Sequence, residues 1–143
     1  MVNLVIVSHC AMLANGVKEL AESMTDAGAG DQTRIAAVGG ILADDGSYRL
    51  GTDALRICEA INMVWNEDGV LLLVDLGSAV LSTKLALELL PNEIKARCLI
   101  SNAPLVEGAL VAALEASLGH SLEVVNRAAE DAGSFPKVTR SEP

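Results

Sequence analysis

Aromatic residues are nearly missing from this sequence: Phe, Tyr and Trp occur once each in 143 residues. A core without rings must be built from Leu, Val, Ile and Ala, which suit strands buried on both faces and the apolar stripes of covering helices. The same shortage removes the stacking surfaces that single-stranded nucleic acid needs. Basic residues are also few, 10 against 19 acidic, leaving a formal net charge of −9. Neither nucleic acid nor an anionic membrane surface offers anything for excess carboxylates to pair with, which argues against both as partners. Cysteine is sparse and unpaired: Cys10, Cys58 and Cys98 form no CxxC spacing. That excludes a disulfide framework or a thiolate metal site, and fits a reduced, cytoplasmic protein. No apolar run approaches the ~20 residues that span a bilayer. The stretch Met1–Val7 is too short and too poor in basic flank to be expected to act as a signal peptide. No GxGxxG follows the first apolar run, which argues against dinucleotide binding.

What is present is a 51% hydrophobic chain of single-domain length, enough to enclose its own core. Val2 to Val7 is a β-branched run ended by Ser8-His9, and reads as a buried strand. Leu13, Val17, Leu20 and Met24 recur at helical spacing up to Gly28 and Gly30. Arg34 to Val38 is a second strand closed by Gly39-Gly40, followed by a polar loop, Asp44-Asp45-Gly46-Ser47. Gly51-Thr52 opens a second helix, with Thr52 as the expected N-cap. Val70 to Val74 is the clearest strand and ends at Asp75; Gly77-Ser78 leads into a helix stopped by Pro91. Arg97 to Ile100 is a fourth strand. Asn102-Ala103-Pro104 starts a helix ended by Gly119, and Ser121 caps a last one, Leu122 to about Ala132. Residues 133–143 read as a polar tail or linker.

Strand–helix alternation with short connections implies an α/β fold. The expected form is an open, doubly wound parallel sheet of about four strands, order 2-1-3-4, with helices on both faces. Such sheets bind ligands at the carboxyl ends of the strands where the order reverses. With this order the crevice lies between strands 1 and 3, whose ends carry His9 and Asp75. A neutral imidazole becomes a good nucleophile when a carboxylate holds one ring nitrogen as N–H and leaves the other lone pair free. Phosphoryl transfer asks mainly for positioning and charge stabilisation. The helix starts after His9, at Cys10, and at Gly77-Ser78 would aim amides at the crevice. Gly39-Gly40 would let a third stretch of backbone approach, and Ser8, Ser78 and Thr52 would add hydroxyls. Each feature has a plainer reading: Asp75 as a helix cap, the glycine pairs as turn chemistry, Cys10 as a small filler.

The motifs carry a resemblance. Val5-Ile6-Val7-Ser8-His9, with Leu13-Ala14-Asn15-Gly16-Val17, resembles the start of the mannose-family enzyme IIA domains of the phosphoenolpyruvate-dependent phosphotransferase system. Gly39-Gly40, Asp44-Asp45-Gly46, Leu50-Gly51-Thr52-Asp53-Ala54, Leu73-Val74-Asp75-Leu76-Gly77-Ser78-Ala79 and Ala103-Pro104-Leu105-Val106-Glu107-Gly108-Ala109 resemble one branch of it, the phosphotransfer subunits of bacterial dihydroxyacetone kinase. The likeness covers residues 1–132. It implies a phosphotransferase component with a phosphohistidine at His9, oriented by Asp75, and with no cofactor or metal. It also implies a homodimer that receives the phosphoryl group from HPr and delivers it to ADP held on the kinase's nucleotide-binding subunit. Cys10 departs from the serine familiar at its position. Enzyme IIA of a mannose-type sugar transporter, a non-enzymatic α/β anion-binding module, and a Cys10-dependent enzyme are the competing readings.

Overall fold

The computed structural model describes residues 1–25 and 32–141. Its elements run β1 (Asn3–Ser8), α1 (Ala11–Glu22), β2 (Ile35–Gly39), β3 (Ile41–Leu42), β4 (Tyr48–Arg49), α2 (Ala54–Val64), β5 (Val70–Val74), α3 (Gly77–Glu88), α4 (Asn92–Lys95), β6 (Cys98–Ile100), α5 (Leu105–Ser117) and α6 (Leu122–Asp131). A turn at Ala132–Ser134 follows. β2, β1, β5 and β6 form one parallel sheet in that order. This is the doubly wound order expected from the sequence. Register places Val7 beside Val38 and Val74, and Ser8 beside Gly39. His9, Gly40 and Asp75 therefore leave the sheet together, at adjacent carboxyl ends.

Side chains of a strand alternate between faces, and β1 shows what that builds. Leu4 and Ile6 enter a core with Ala14, Val17 and Ala21 of α1, the small face of α5, and Val125 and Ala129 of α6. Val5 and Val7 enter the opposite core, with Ile57 and Ile61 of α2 and Ala79, Ala86 and Leu87 of α3. All six residues of β1 are buried, and each large apolar side chain contributes about 1.5–3 kcal/mol by leaving water. The strand that carries the site is thus the best anchored in the molecule. Among the described residues no helix is long and apolar enough to cross a membrane.

Four local features differ from the sequence reading. The polar loop is the tip of a β3–β4 hairpin, closed by Ala43 N–H to Ser47 O at 2.8 Å and by the Asp45 carboxylate accepting from Ser47. Strands of two residues leave no periodicity to read. A helical turn, α4, stands between Pro91 and β6. α1 ends at Glu22, short of Met24; Gly28 and Gly30 lie outside the described residues. Asp53, not Thr52, caps α2: its carboxylate accepts from Leu55 N–H at 3.0 Å. Thr52 is unavailable because its hydroxyl bonds Ser82 Oγ at 2.5 Å. Beyond Gly133, Lys137 Nζ donates to Glu107 at 3.0 Å while Phe135 and Val138 are exposed.

Candidate active site

The site is assembled at the end of β1. Ser8 is fully buried, and His9 follows it where the chain swings into α1. β5 delivers Asp75 beside them, with Asp75 N–H continuing the ladder to Val7 O. The Asp75 carboxylate then accepts from four donors. Oδ1 takes His9 Nδ1 at 2.9 Å and Leu76 N–H at 2.8 Å; Oδ2 takes Ser8 Oγ and His9 N–H, each at 2.9 Å. A carboxylate has about four acceptor positions, so this one is saturated.

Saturation fixes the imidazole. An ionised carboxylate only accepts, so Nδ1 carries the proton and Nε2 keeps its lone pair. Burial alone would raise the Asp75 carboxyl. The bonds from the His9 backbone and ring and from Ser8, with the His9 charge, outweigh burial and hold it below its ordinary 3.8. Nε2 faces Ser78 Oγ at 2.6 Å, so this hydroxyl donates to the lone pair. His9 keeps about a quarter of its side chain exposed, 24% against 11% for Asp75. The His9 ring is therefore partly reachable while its orienting partner is enclosed.

Not every residue singled out in the sequence meets at this point. Ser8, Cys10, Gly77 and Ser78 do. Ser8 Oγ is engaged on both sides, donating to Asp75 and accepting from Cys10 N–H at 3.0 Å. Gly77 and Ser78 begin α3, so their N–H groups have no intrahelical acceptor. Asp75 does not cap that helix; Leu76 holds the N-cap position without a side-chain bond. Gly39 faces the backbone of the His9 turn: a Cβ there would sit 2.5 Å from Cys10 O and 2.8 Å from Ala11 Cα. Gly40 adopts φ +71°, and its Cβ would meet Arg49 O at 2.9 Å. Both glycines allow close backbone approach. Thr52 bonds Ser82 Oγ and makes no hydrogen bond to the imidazole among the described residues. Gly51, a motif residue not proposed for the site from the sequence, donates its N–H to His9 O at 2.9 Å. Arg56 was equally silent: Nη1 donates to Gly39 O and Gly40 O at 3.1 and 3.0 Å. Among the described residues no group of three or more His, Cys, Asp or Glu is placed to hold a metal ion.

Comparison with known proteins shows the family. The EIIA-man family model, described as PTS system fructose IIA component, matches residues 3–126. The chain is 47% identical over 125 residues to the PEP-dependent dihydroxyacetone kinase, phosphoryl donor subunit DhaM, of Escherichia coli, covering 87% of this chain and 25% of that protein. It is 46% identical over 125 residues to the protein of the same name from Pantoea ananatis, with the same 87% and 25% coverage. The chain thus spans about a quarter of the length of these relatives. It is 38% identical to the Listeria innocua phosphoryl donor subunit DhaM of PEP-dependent dihydroxyacetone kinase 2, covering 87% of this chain and 94% of that one. A crystal structure of a protein described as of unknown function superposes with a TM-score of 0.75 at 33% identity, covering 91% and 93% of the two chains. The chain belongs to the EIIA-man family of phosphotransferase-system IIA components, in the branch of the dihydroxyacetone kinase phosphoryl donor subunits.

Proposed function

We propose that this chain is a phosphoryl carrier that takes the group from phospho-HPr onto His9 Nε2. It then passes the group to ADP held on the nucleotide-binding subunit of a dihydroxyacetone kinase. The observation that carries this is the saturated Asp75 carboxylate on Nδ1, with Nε2 of the partly exposed His9 ring meeting the exposed Ser78 hydroxyl. In the forward step Nε2 attacks phosphorus in line, an Nε2–P bond forms, and the donor's P–N bond breaks with its electron pair leaving on the donor imidazole. Nδ1 keeps its proton throughout, and Asp75 stabilises the positive ring that results. Asp75 orients; it does not take the proton.

Charge on the transferred oxygens needs donors. Ser78 Oγ, displaced from Nε2 by the incoming phosphorus, is one bond rotation from a phosphoryl oxygen. The free N–H groups of Gly77 and Ser78 present the positive end of α3. Ser8 and Cys10 act one step back, because Ser8 Oγ already donates to Asp75 and Cys10 N–H already donates to Ser8 Oγ. Gly39, Gly40 and Thr52 shape the walls. We assign the chain to a homodimer, for which Leu81, Leu85 and Leu89 supply an exposed apolar row on α3; sedimentation as a monomer at micromolar concentration would remove that assignment.

The test is intact-mass spectrometry after incubation with phosphoenolpyruvate, enzyme I and HPr, with and without the dihydroxyacetone kinase subunits. One acid-labile phosphoryl adduct, discharged only by the ADP-loaded kinase subunit, is the expected result. The family model's fructose IIA description favours a second reading, a sugar-transporter IIA. An adduct that forms but is not discharged would select it. No adduct would leave an anion-binding module.

A further inference from the structure

We infer that Arg56 is a positioning residue for phosphoryl transfer, clamping the base of the β3–β4 hairpin so that it holds the His9 turn; this rests on the function proposed above. Arg56 lies in the first turn of α2, where the helix dipole disfavours a cation. Among the described residues it forms no ion pair. Its contacts are of another kind. Nη1 donates to two successive backbone carbonyls, Gly39 O and Gly40 O. The guanidinium also stands 5.1 Å from the centre of the Tyr48 ring, on the returning strand of the hairpin, within cation–π range. One side chain thus ties the link from β2 into β3, the returning strand β4 and α2 together.

The residues that flank the hairpin, Gly39 and Gly40 before β3 and Gly51 after β4, touch the His9 segment three times. Gly40 N–H donates to Ser8 O at 3.3 Å, and Gly51 N–H, just past β4, donates to His9 O at 2.9 Å. Gly39 is pressed on Cys10 and Ala11 too closely to admit a Cβ. These contacts hold the backbone on one side of His9 while Asp75 holds its N–H and ring on the other. β3 and β4 pair over two residues each, and so short a ribbon is not stable by itself. Without the clamp the hairpin would loosen, the Gly51–His9 bond would open more often, and Nε2 would wander from the line of attack.

The experiment compares wild type with Arg56→Met, Arg56→Lys and Tyr48→Leu, reading phosphoryl uptake from phospho-HPr by rapid quench and amide exchange at Gly51 by NMR. Arg56→Met is expected to lower the uptake rate at saturating phospho-HPr about tenfold, since sub-ångström misplacement of a reacting group is enough for that. The half-saturating phospho-HPr concentration is expected to stay within about twofold, because no uniform binding contact is removed. Gly51 exchange is expected to quicken about tenfold as local opening becomes easier. Arg56→Lys, which keeps a cation for the carbonyls and ring, restores most of the rate. Tyr48→Leu, on a half-exposed side chain that leaves the core intact, gives the same pattern more weakly and decides the matter if Arg56→Met does not fold. Unchanged Gly51 exchange, or a rise in half-saturation at unchanged maximal rate, overturns the clamp; the latter would make Arg56 a partner contact. Wild-type protein that takes no phosphoryl group overturns the carrier function, and this role with it, whatever Gly51 exchange shows.

Discussion

β1 carries a polar side chain at each end, and the two ends are built differently. At the amino end, buried Asn3 donates to Val64 O at 2.6 Å and accepts from Arg34 N–H at 2.8 Å. Both partners are backbone, and the amide is neutral at every pH of interest. At the carboxyl end, His9 and Asp75 are both titratable and are bonded to each other. Burial demands partners in both places. The amino end pairs both polar atoms of its amide with backbone, and so only fixes structure. The carboxyl end fills Asp75 completely, while the Nε2 lone pair of His9 meets a single exposed hydroxyl, that of Ser78. A polar group tied to backbone on both sides completes the fold, whereas one facing an exposed hydroxyl can exchange that partner.

The contrast can be broken most severely at His9. His9→Ala should abolish phosphoryl uptake, measured by intact mass, while leaving the circular dichroism spectrum unchanged; retained uptake would move the chemistry elsewhere. Asp75→Asn comes next. The amide must turn its NH₂ group toward Leu76 N–H or His9 N–H, so one backbone donor loses its acceptor either way. Uptake should slow by about two or more orders of magnitude. Near-normal rates would reduce Asp75 to a structural group.

Asp75 also links the site to acid stability. Its native pKa is below its ordinary 3.8, so its stabilisation is fully present above that value and is lost as pH falls through the native one. Asp75→Asn should therefore flatten the acid side of the melting-temperature profile below about pH 4. A wild-type slope there would show that other carboxylates carry the transition.

At the amino end the expected effects are reversed in kind. Asn3→Ala strips partners from Val64 O and Arg34 N–H, and should cost about 1–3 kcal/mol in urea unfolding with the uptake rate unchanged. A matching loss of rate would mean that the two ends of β1 are not independent. The smallest effect is Ser78→Ala. Losing one hydroxyl donor to the transferred phosphoryl oxygens should slow uptake only about two- to tenfold, read by rapid quench.

The convergence of His9 and Asp75 was legible because it follows from topology. Leu4–Val7 and Val70–Val74 are unbroken apolar runs, each ended by a polar residue, and an open parallel sheet brings such ends together. The contacts that finish the site left no such trace. Gly51 and Leu76 act through backbone N–H groups, which carry no side-chain signature. Arg56 reads as an ordinary helix cation until the hairpin is folded beneath it, and β3 and β4 are too short to show a period. Thr52 beside Asp53 illustrates the remaining ambiguity. Both residue types cap helices, and only the distant Ser82 hydroxyl decides which one is free to do so.

The central claim is that Asp75 dictates which nitrogen of His9 reacts, and nuclear magnetic resonance of ¹⁵N-imidazole-labelled phosphoprotein tests it directly. Phosphorus coupled to Nε2, with Nδ1 still protonated and bonded to Asp75, is the expected result. Phosphorus on Nδ1 would contradict it, because that nitrogen would have had to leave the carboxylate before it could react.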